Sequence, residues 1–234
     1  GTQEGMAQDF DTNNMTVMFV NNNEDEAASF LQEFNGMFKN IINAHDGAEA
    51  LTLLKQTDVD IVISDIDMPN MDGFELCRSI KGTLEVSHIP VILLTSRTDK
   101  RNKNVGYKME ADAFIAKPFD MNQMYAIIRS QLGGRFEIKR QYNFRFFDKI
   151  NPDQTFSVTD EQFISSLNEL IEQNVSDPGL TEDFIMKNQH ISRSLLHKKM
   201  NGLLGTDILN YINRIRIGII KDLLSNTDDT LESI

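Results

Sequence analysis

The chain of 234 residues is 40% hydrophobic, which suffices for packed cores in one or two domains. Its apolar runs fall well short of the roughly 18 residues that a transmembrane helix needs, and its start has no signal-peptide pattern. The single cysteine, Cys77, excludes an intrachain disulfide. We therefore expect a cytoplasmic, reducing location, and a buried helix position for this thiol rather than a redox role. A formal net charge of −12 argues against nucleic-acid binding by the chain as a whole.

Apolar runs typical of strands buried on both faces alternate with stretches of helical period in the first part of the chain. The predicted strands are Thr16–Val20, Ile61–Ser64, Val91–Thr95 and Ala113–Ala116. The predicted helices are Asp25–Phe34, Gly47–Gln56, Gly73–Lys81, Lys100–Met109 and Met121–Leu132. This alternation of strand and helix, repeated about five times, predicts an α/β fold with a doubly wound parallel sheet.

Polar side chains stand at the ends of three of these strands: Asp65, Thr95 and Lys117. In parallel sheets of this type, ligands bind beyond the carboxyl ends of the strands. We therefore expect the three side chains to converge at one edge of the sheet. A carboxylate held there by a rigid strand is a candidate acceptor rather than an ordinary surface charge.

The segments SDIDMPNMDG, PVILLTS and ADAFIAKPFD resemble, in their order and spacing, the receiver domain of bacterial response regulators. The resemblance covers about residues 14–133 and implies a five-stranded flavodoxin-like sheet in the order 2-1-3-4-5. It implies that Asp65 accepts a phosphoryl group from a phosphohistidine. It also implies that Lys117, followed by a cis bond to Pro118, contacts that group. Thr95 and Phe114 match the switch hydroxyl and the switch aromatic of the family.

The residues after the first strand depart from the family pattern. The family has two acids there that hold Mg2+, whereas this chain has Asn21 and Asn22. Amides carry no charge, so we expect weak Mg2+ binding and slow phosphotransfer. In the alternative, neighbours restore the metal site, with Asn22, Asp65 and Asp67 as ligands. Asp67 is the best substitute acid in that case, unless Arg97 pairs with it.

The second part of the chain is predicted to be helical. An apolar stripe at Phe163, Leu167, Leu170 and Ile171 ends in a turn at 176–179. Two shorter helices follow, which we predict at Glu182–Asn188 and Arg193–Leu203, with Thr181 and Ser192 as their N-caps. A short helix, a tight connection and a second helix form a helix-turn-helix outline.

The segment HISRSLLHKKMNGLLGTDILNYINRIRI resembles the first half of the AraC-type DNA-binding domain. The resemblance makes Arg193, Ser194, His197 and Lys198 candidate DNA contacts, although each is equally compatible with a solvated surface. It places Arg216 on a long helix, where a salt bridge is as plausible as a phosphate contact. The net charge is +4 over 183–222 and −6 over 15–133, so a local basic patch is compatible with the acidic total.

We divide the chain into a tail at 1–14, disordered or vector-derived, a receiver domain at 15–133, a linker at 134–159 and a truncated AraC-type domain at 160–234. This combination resembles the C-terminal part of hybrid two-component regulators. The resemblance implies a histidine kinase domain in the same parent polypeptide, with the parent anchored in the inner membrane. DNA and a second copy of the chain are the other expected partners. No membrane contact and no enzymatic activity are expected for this fragment.

Two other functions remain open at this point. In the first, Asn21 and Asn22 make the receiver a phosphorylation-independent scaffold attached to a DNA-binding or dimerisation domain. In the second, the chain is a hydrolase in which Asp65 is the covalent nucleophile and Asp67 the acid/base. The DNA-binding resemblance and the lack of a cap domain disfavour the hydrolase.

Overall fold

The computed structural model describes residues 10–96, 111–144 and 156–226. The chain divides into two compact units, Gly1–Ile80 with Ile89–Phe136, and Lys81–His88 with Glu137–Ile234. Three predicted features lie outside the described residues: the helix at Lys100–Met109, the side chain of Arg97 and the middle of the linker. Within the described part of the chain, no helix is long and apolar enough to cross a membrane.

The first unit is built on a five-stranded parallel sheet in the order β2-β1-β3-β4-β5, which confirms the predicted fold. The strands are β1 (Thr16–Val20), β2 (Asn40–Ala44), β3 (Ile61–Asp65), β4 (Val91–Ser96) and β5 (Ala113–Lys117). All residues of β1 and β3 are buried, because these central strands have helices on both faces. β2 has only one fully buried residue, as befits an edge strand.

The helices that begin in the first unit are α1 (Glu24–Glu33), α2 (Gly47–Leu54), α3 (Gly73–Gly82) and α4 (Met121–Phe144). The last residues of α3 and of α4 belong to the second unit. Asn23 caps α1 by accepting hydrogen bonds from the amides of Asp25 and Glu26. This cap fixes the first turn of α1 directly after the end of β1. The buried thiol of Cys77 lies within α3, as predicted.

Aromatic and aliphatic side chains form the core between β1, β3, β4 and the helices. Phe19 on β1 stacks on Phe30 of α1 with ring centroids 4.2 Å apart, and Phe30 in turn contacts Phe34. Met124 and Ile128 of α4 close the same cluster. The packing fixes α1 against β1, and so places the first turn of α1 near the carboxyl ends of the strands.

Two predictions about local structure near the ends of the first unit were wrong. α4 continues past the predicted end at Leu132, and Gly133 lies inside the helix. A Cβ added at Gly133 would lie 3.7 Å from the ring of Phe10. Phe10 also contacts Phe136, with ring centroids 5.5 Å apart. Thr12–Asn14, assigned to a disordered tail, form a 3-10 turn, and the Thr12 hydroxyl donates to the carbonyl of Met37 at 2.9 Å.

The helices of the second unit, after the end of α4, are α5 (Val158–Gln173), α6 (Glu182–Gln189), α7 (Arg193–Leu204) and α8 (Ile208–Asn226). Thr181 and Ser192 cap α6 and α7 as predicted, and His190 in the left-handed region ends α6. The core of this unit includes Leu167, Leu196 and Tyr211. The three residues between α6 and α7 are typical of a helix-turn-helix connection.

Candidate functional site

Asp65 ends β3 at the carboxyl edge of the sheet and is nearly buried, with 8% of its surface exposed. Its Oδ1 accepts hydrogen bonds from the amides of Ile66, at 2.7 Å, and Asp67, at 3.4 Å. An added Cβ on Gly73 would lie 2.2 Å from the Asp65 carbonyl oxygen. Only glycine therefore lets the start of α3 approach the strand end this closely. Asp65 is consequently held by backbone on two sides and presents its other oxygen, Oδ2, toward Lys117.

Lys117 ends β5 and joins two carboxylates from different elements. Its Nζ donates to Asp65 Oδ2 at 2.5 Å and to Glu26 Oε2 at 2.8 Å. The Lys117–Pro118 bond is cis, as the family resemblance implied. The sequence analysis did not single out Glu26, which lies in the first turn of α1. One ammonium group is therefore shared between the expected acceptor and an acid that was not expected at the site.

The two asparagines after β1 differ in their surroundings. Asn21 is buried, with its Nδ2 donating to Glu26 Oε2 at 2.9 Å and its Oδ1 accepting from the amide of Asn23 at 2.7 Å. Both ends of this amide are thus engaged. Asn22 is exposed, and so is the side chain of Asp67, the predicted substitute acid. Within the described residues, no group of three or more histidine, cysteine or acidic side chains is arranged to hold a metal ion.

The electrostatics of the site follow from this sharing. Burial alone would raise the pKa of Glu26, but hydrogen bonds from Lys117 and Asn21 outweigh it and lower the pKa below its ordinary value. Burial alone would lower the pKa of Lys117, but hydrogen bonds to Asp65 and Glu26 outweigh it and raise the pKa. Near neutral pH, Lys117 therefore stays an ammonium and Glu26 a carboxylate.

The two expected switch residues lie on neighbouring strands. Thr95 follows Leu94, which pairs with Asp65, and it pairs itself with Ala116 of β5. Its hydroxyl donates to the carbonyl of Ser96 at 3.2 Å. Phe114 on β5 is 36% exposed. The sheet register therefore places Thr95 at the level of Asp65 and Lys117, while the ring of Phe114 lies partly in solvent.

The candidate DNA contacts lie on the first turns of α7, and α6 engages two of them. Arg193 is half exposed and pairs with Asp183 at 2.9 Å, while His197 Nε2 lies 2.7 Å from Glu182 Oε1. Ser194 is exposed and Lys198 partly exposed. These side chains share a surface, but acids of the preceding helix offset part of its positive charge.

Two further basic residues of this segment serve the fold. Lys199 is completely buried, and its ammonium donates to Asp160 of α5 and, at 2.9 Å, to the hydroxyl of Ser87. Arg216 donates to the backbone carbonyls of Val175, at 3.0 Å, and Asp177, at 2.9 Å, which is neither of the two contacts considered from the sequence. The net charge of +4 therefore overstates the positive charge available on the surface.

A sequence signal existed for one of the unpredicted residues. Glu26 belongs to a run of acids, Glu24, Asp25 and Glu26, that opens α1 directly after β1. The first turn of such a helix adjoins the carboxyl ends of the strands, so one acid of this run, here Glu26, could be expected at the site. The burial of Lys199 with Asp160 had no such signal, because both residues are of types that are seldom fully buried.

Comparison with known proteins assigns the first unit to a family. Residues 17–129 match the family model described as the response regulator receiver domain. The sheet order and the Asp65–Lys117 contact agree with this match. This segment is a receiver domain of two-component response regulators.

Named relatives include a kinase and a transcriptional regulator. The chain is 31% identical over 196 residues to Histidine kinase P4 of Formosa agariphila, and the alignment covers 83% of this chain and 14% of that protein. It is 40% identical over 91 residues to the probable transcriptional regulator ycf29 of Pyropia yezoensis, and this alignment covers 39% of this chain and 41% of that protein. A solved receiver domain of a histidine kinase from Syntrophus aciditrophicus is 32% identical, with 51% of this chain and 91% of that chain covered and a TM-score of 0.47. The chain thus spans less than half the length of either curated relative.

Proposed function

We propose that this chain is the response-regulator part of a two-component system, in which phosphorylation of Asp65 controls an attached DNA-binding domain. The contact of Asp65 Oδ2 with Lys117 Nζ at 2.5 Å is the observation that carries this proposal. It combines a nearly buried carboxylate at a strand end with the cation that an incoming phosphoryl group requires.

The reaction needs little beyond positioning and charge. An oxygen of Asp65 forms a bond to phosphorus while the bond from phosphorus to the histidine nitrogen of the donor breaks, and the imidazole leaves. Negative charge gathers on the phosphoryl oxygens, and an ammonium such as that of Lys117 stabilises it. The hydroxyl of Thr95 would then turn toward the phosphoryl group and Phe114 would change its exposure, which is a population shift between two states.

The residues around Asp65 fit a magnesium ion poorly, and we propose that its binding is weak. Receiver domains use an acidic site for Mg2+, which is a hard cation that prefers charged oxygen ligands. Here the amide of Asn21 is engaged at both ends, and the carboxylate of Glu26 is paired with the ammonium of Lys117. Of the two acids expected to hold the ion, Asp65 has its Oδ2 on Lys117 and Asp67 is exposed. We therefore propose slow phosphotransfer to Asp65.

The effector part is proposed to bind DNA through α7, the second helix of the α6–α7 pair. The exposed side chains of Arg193, Ser194 and His197 and the partly exposed Lys198 support this role, and so does the resemblance to AraC-type domains. The alignment with Histidine kinase P4, at 196 residues, is longer than the receiver match at 17–129. Similarity to that kinase thus extends beyond the receiver, which supports a parent protein that contains its own kinase.

Selection from a randomised duplex DNA library tests this proposal. Three samples are compared: the untreated chain, the chain treated with a small-molecule phosphodonor, and the treated Asp65→Asn variant. We expect a common DNA motif to be enriched more strongly by the treated chain than by the other two. Enrichment of no motif in any sample would refute DNA binding. A reduced dependence of affinity on salt in Arg193→Ala would support phosphate contacts by α7.

A second function is favoured by the uncharged amides of Asn21 and Asn22. In this case the receiver is a phosphorylation-independent scaffold for a DNA-binding or dimerisation domain. With a DNA-binding domain attached, it predicts equal enrichment of one motif in all three samples. The same selection therefore separates the two functions.

A further inference from the structure

We propose that Glu26 competes with the phosphoryl group for Lys117 and so limits the rate at which Asp65 is phosphorylated. This inference rests on the proposed function, because it concerns the same site. It assigns to Glu26 a positioning role, exerted on Lys117.

The geometry of the ammonium carries the inference. Lys117 Nζ lies 2.5 Å from Asp65 Oδ2 and 2.8 Å from Glu26 Oε2, so the two acids take two of its three N–H donors. The phosphoryl group brings further oxygens that need the same donors. Lys117 can serve them fully only when it gives up Glu26.

Glu26 is held in this place from several sides. Its Oε2 also accepts from Asn21 Nδ2 at 2.9 Å, and its own backbone amide donates to the cap residue Asn23 at 3.2 Å. Asn23 in turn donates its amide to Asn21 Oδ1 at 2.7 Å. The capped helix start, the buried amide of Asn21 and the carboxylate therefore form one connected network. Because two donors meet its Oε2, the carboxylate remains next to Lys117 although its side chain is 39% exposed.

The charge of Glu26 opposes the reaction. The phosphoryl group brings negative charge to a carboxylate that already shares its ammonium with a second carboxylate. Glu26 repels this charge and at the same time orients Lys117 toward itself. Removing the charge while keeping the shape should therefore accelerate formation of the bond between the Asp65 oxygen and phosphorus.

Asn21 belongs to the same hydrogen-bond network. An aspartate at this position would replace the donor Nδ2 with a second carboxylate oxygen at the 2.9 Å contact with Glu26. Restoring the acids of the family at positions 21 and 22 would thus create a repulsive pair as long as Glu26 is present. To rebuild an acidic metal site, Asn21→Asp and Asn22→Asp therefore have to be combined with Glu26→Gln.

The test uses the whole chain and two matched variants, Glu26→Gln and Glu24→Gln. Glu24 lies in the same helical turn and is exposed, so it controls for the loss of one negative charge. Phosphoramidate is the phosphodonor, and its P–N bond breaks while ammonia leaves. Because it carries no acetyl group, it does not acetylate lysines during the rate measurement. The initial rate of phosphorylation at Asp65 is measured by intact mass and peptide mapping. In parallel, trace labelling with acetic anhydride reports the reactivity of Lys117 relative to the exposed Lys39.

We expect Glu26→Gln to raise the phosphorylation rate roughly tenfold, the effect of one charge at contact distance, and to raise the labelling of Lys117. Glu24→Gln should change neither. A rate in Glu26→Gln equal to or below that of the unmodified chain would overturn the inference and leave the proposed function intact. No adduct at Asp65 in any variant, with Lys117 labelling raised in Glu26→Gln, would overturn the proposed function and with it the competition.

Discussion

Replacing Lys199 with methionine should strongly destabilise the second unit. The side chains of Lys199 and Asp160 are both 0% exposed, and the ammonium also donates to Ser87 at 2.9 Å. Methionine keeps most of the volume but leaves the Asp160 carboxylate buried without its cation. Within the described residues Asp160 Oδ2 already has no hydrogen-bond partner, so little remains to stabilise the charge. Breaking a buried pair from one side costs about 3–5 kcal/mol of unfolding free energy.

Removing both charges should cost much less than removing one. In the Asp160→Asn/Lys199→Met double variant no charge is buried, so we expect the loss to be smaller than in Lys199→Met by about 2 kcal/mol or more. Lys187→Met is the matched control, because this lysine is exposed on α6, and we expect a change within about 0.5 kcal/mol. Urea unfolding followed by circular dichroism gives the free energies, and hydrogen exchange of the α7 amides assigns them to this unit.

The pH dependence shows whether the loss is electrostatic. Burial tends to raise the pKa of Asp160, but Lys199 outweighs it and lowers the pKa, so the pair stabilises the fold above the ordinary carboxyl pKa and less as the pH falls. Without Lys199, burial raises that pKa, and stability is regained as the pH falls. The difference in unfolding free energy between the unmodified chain and Lys199→Met should therefore be smaller at pH 5 than at pH 7. A loss below about 1 kcal/mol at pH 7, or a gap independent of pH, would refute this reasoning.

Two further predictions concern stability. Gly73→Ala should destabilise the first unit by about 1–3 kcal/mol because the new methyl would lie 2.2 Å from the Asp65 carbonyl oxygen. Gly134→Ala has open space around its Cβ in the middle of α4 and should raise the free energy of unfolding by about 0.5–1 kcal/mol. Equal effects of the two substitutions in thermal unfolding would contradict this. Burial and the ammonium of Lys199 lower the pKa of His88 from 6.5 to about 3, so on acidification the unfolded chain takes up a proton that the folded chain does not. Between pH 7 and pH 5 this should lower the free energy of unfolding by about 2 kcal/mol. Urea unfolding should show a correspondingly smaller loss of that free energy in His88→Phe.

The central strands and the place of Asp65 at a strand end could be predicted from the sequence because their signals are local. β1, β3 and β4 are continuous apolar runs, and Asp65 directly ends one of them. β2 was not located, since Asn40–Ala44 has asparagines at both Asn40 and Asn43 and lies at the sheet edge with little burial. Its pairing with β1 is a tertiary contact that short-range periodicity does not encode.

The remaining differences also come from contacts between distant residues. The predicted helix ended at Leu132, but α4 continues through Gly133 and Gly134, with Phe10 packed beside Gly133. Lys199 was counted in a basic patch, yet Asp160, 39 residues earlier, buries it. Glu26 and Lys117 are 91 residues apart, so the ion pair between them could be found only in the folded chain.

The measurement that tests the account most directly is the intact mass of the chain after incubation with phosphoramidate, with and without Mg2+. The account predicts one slowly formed phosphoryl adduct, located at Asp65, absent from Asp65→Asn and little affected by Mg2+. The Asn21→Asp/Asn22→Asp/Glu26→Gln variant should form the adduct faster and in a Mg2+-dependent way. No adduct in either chain, or an adduct that persists in Asp65→Asn, would contradict the role assigned to Asp65.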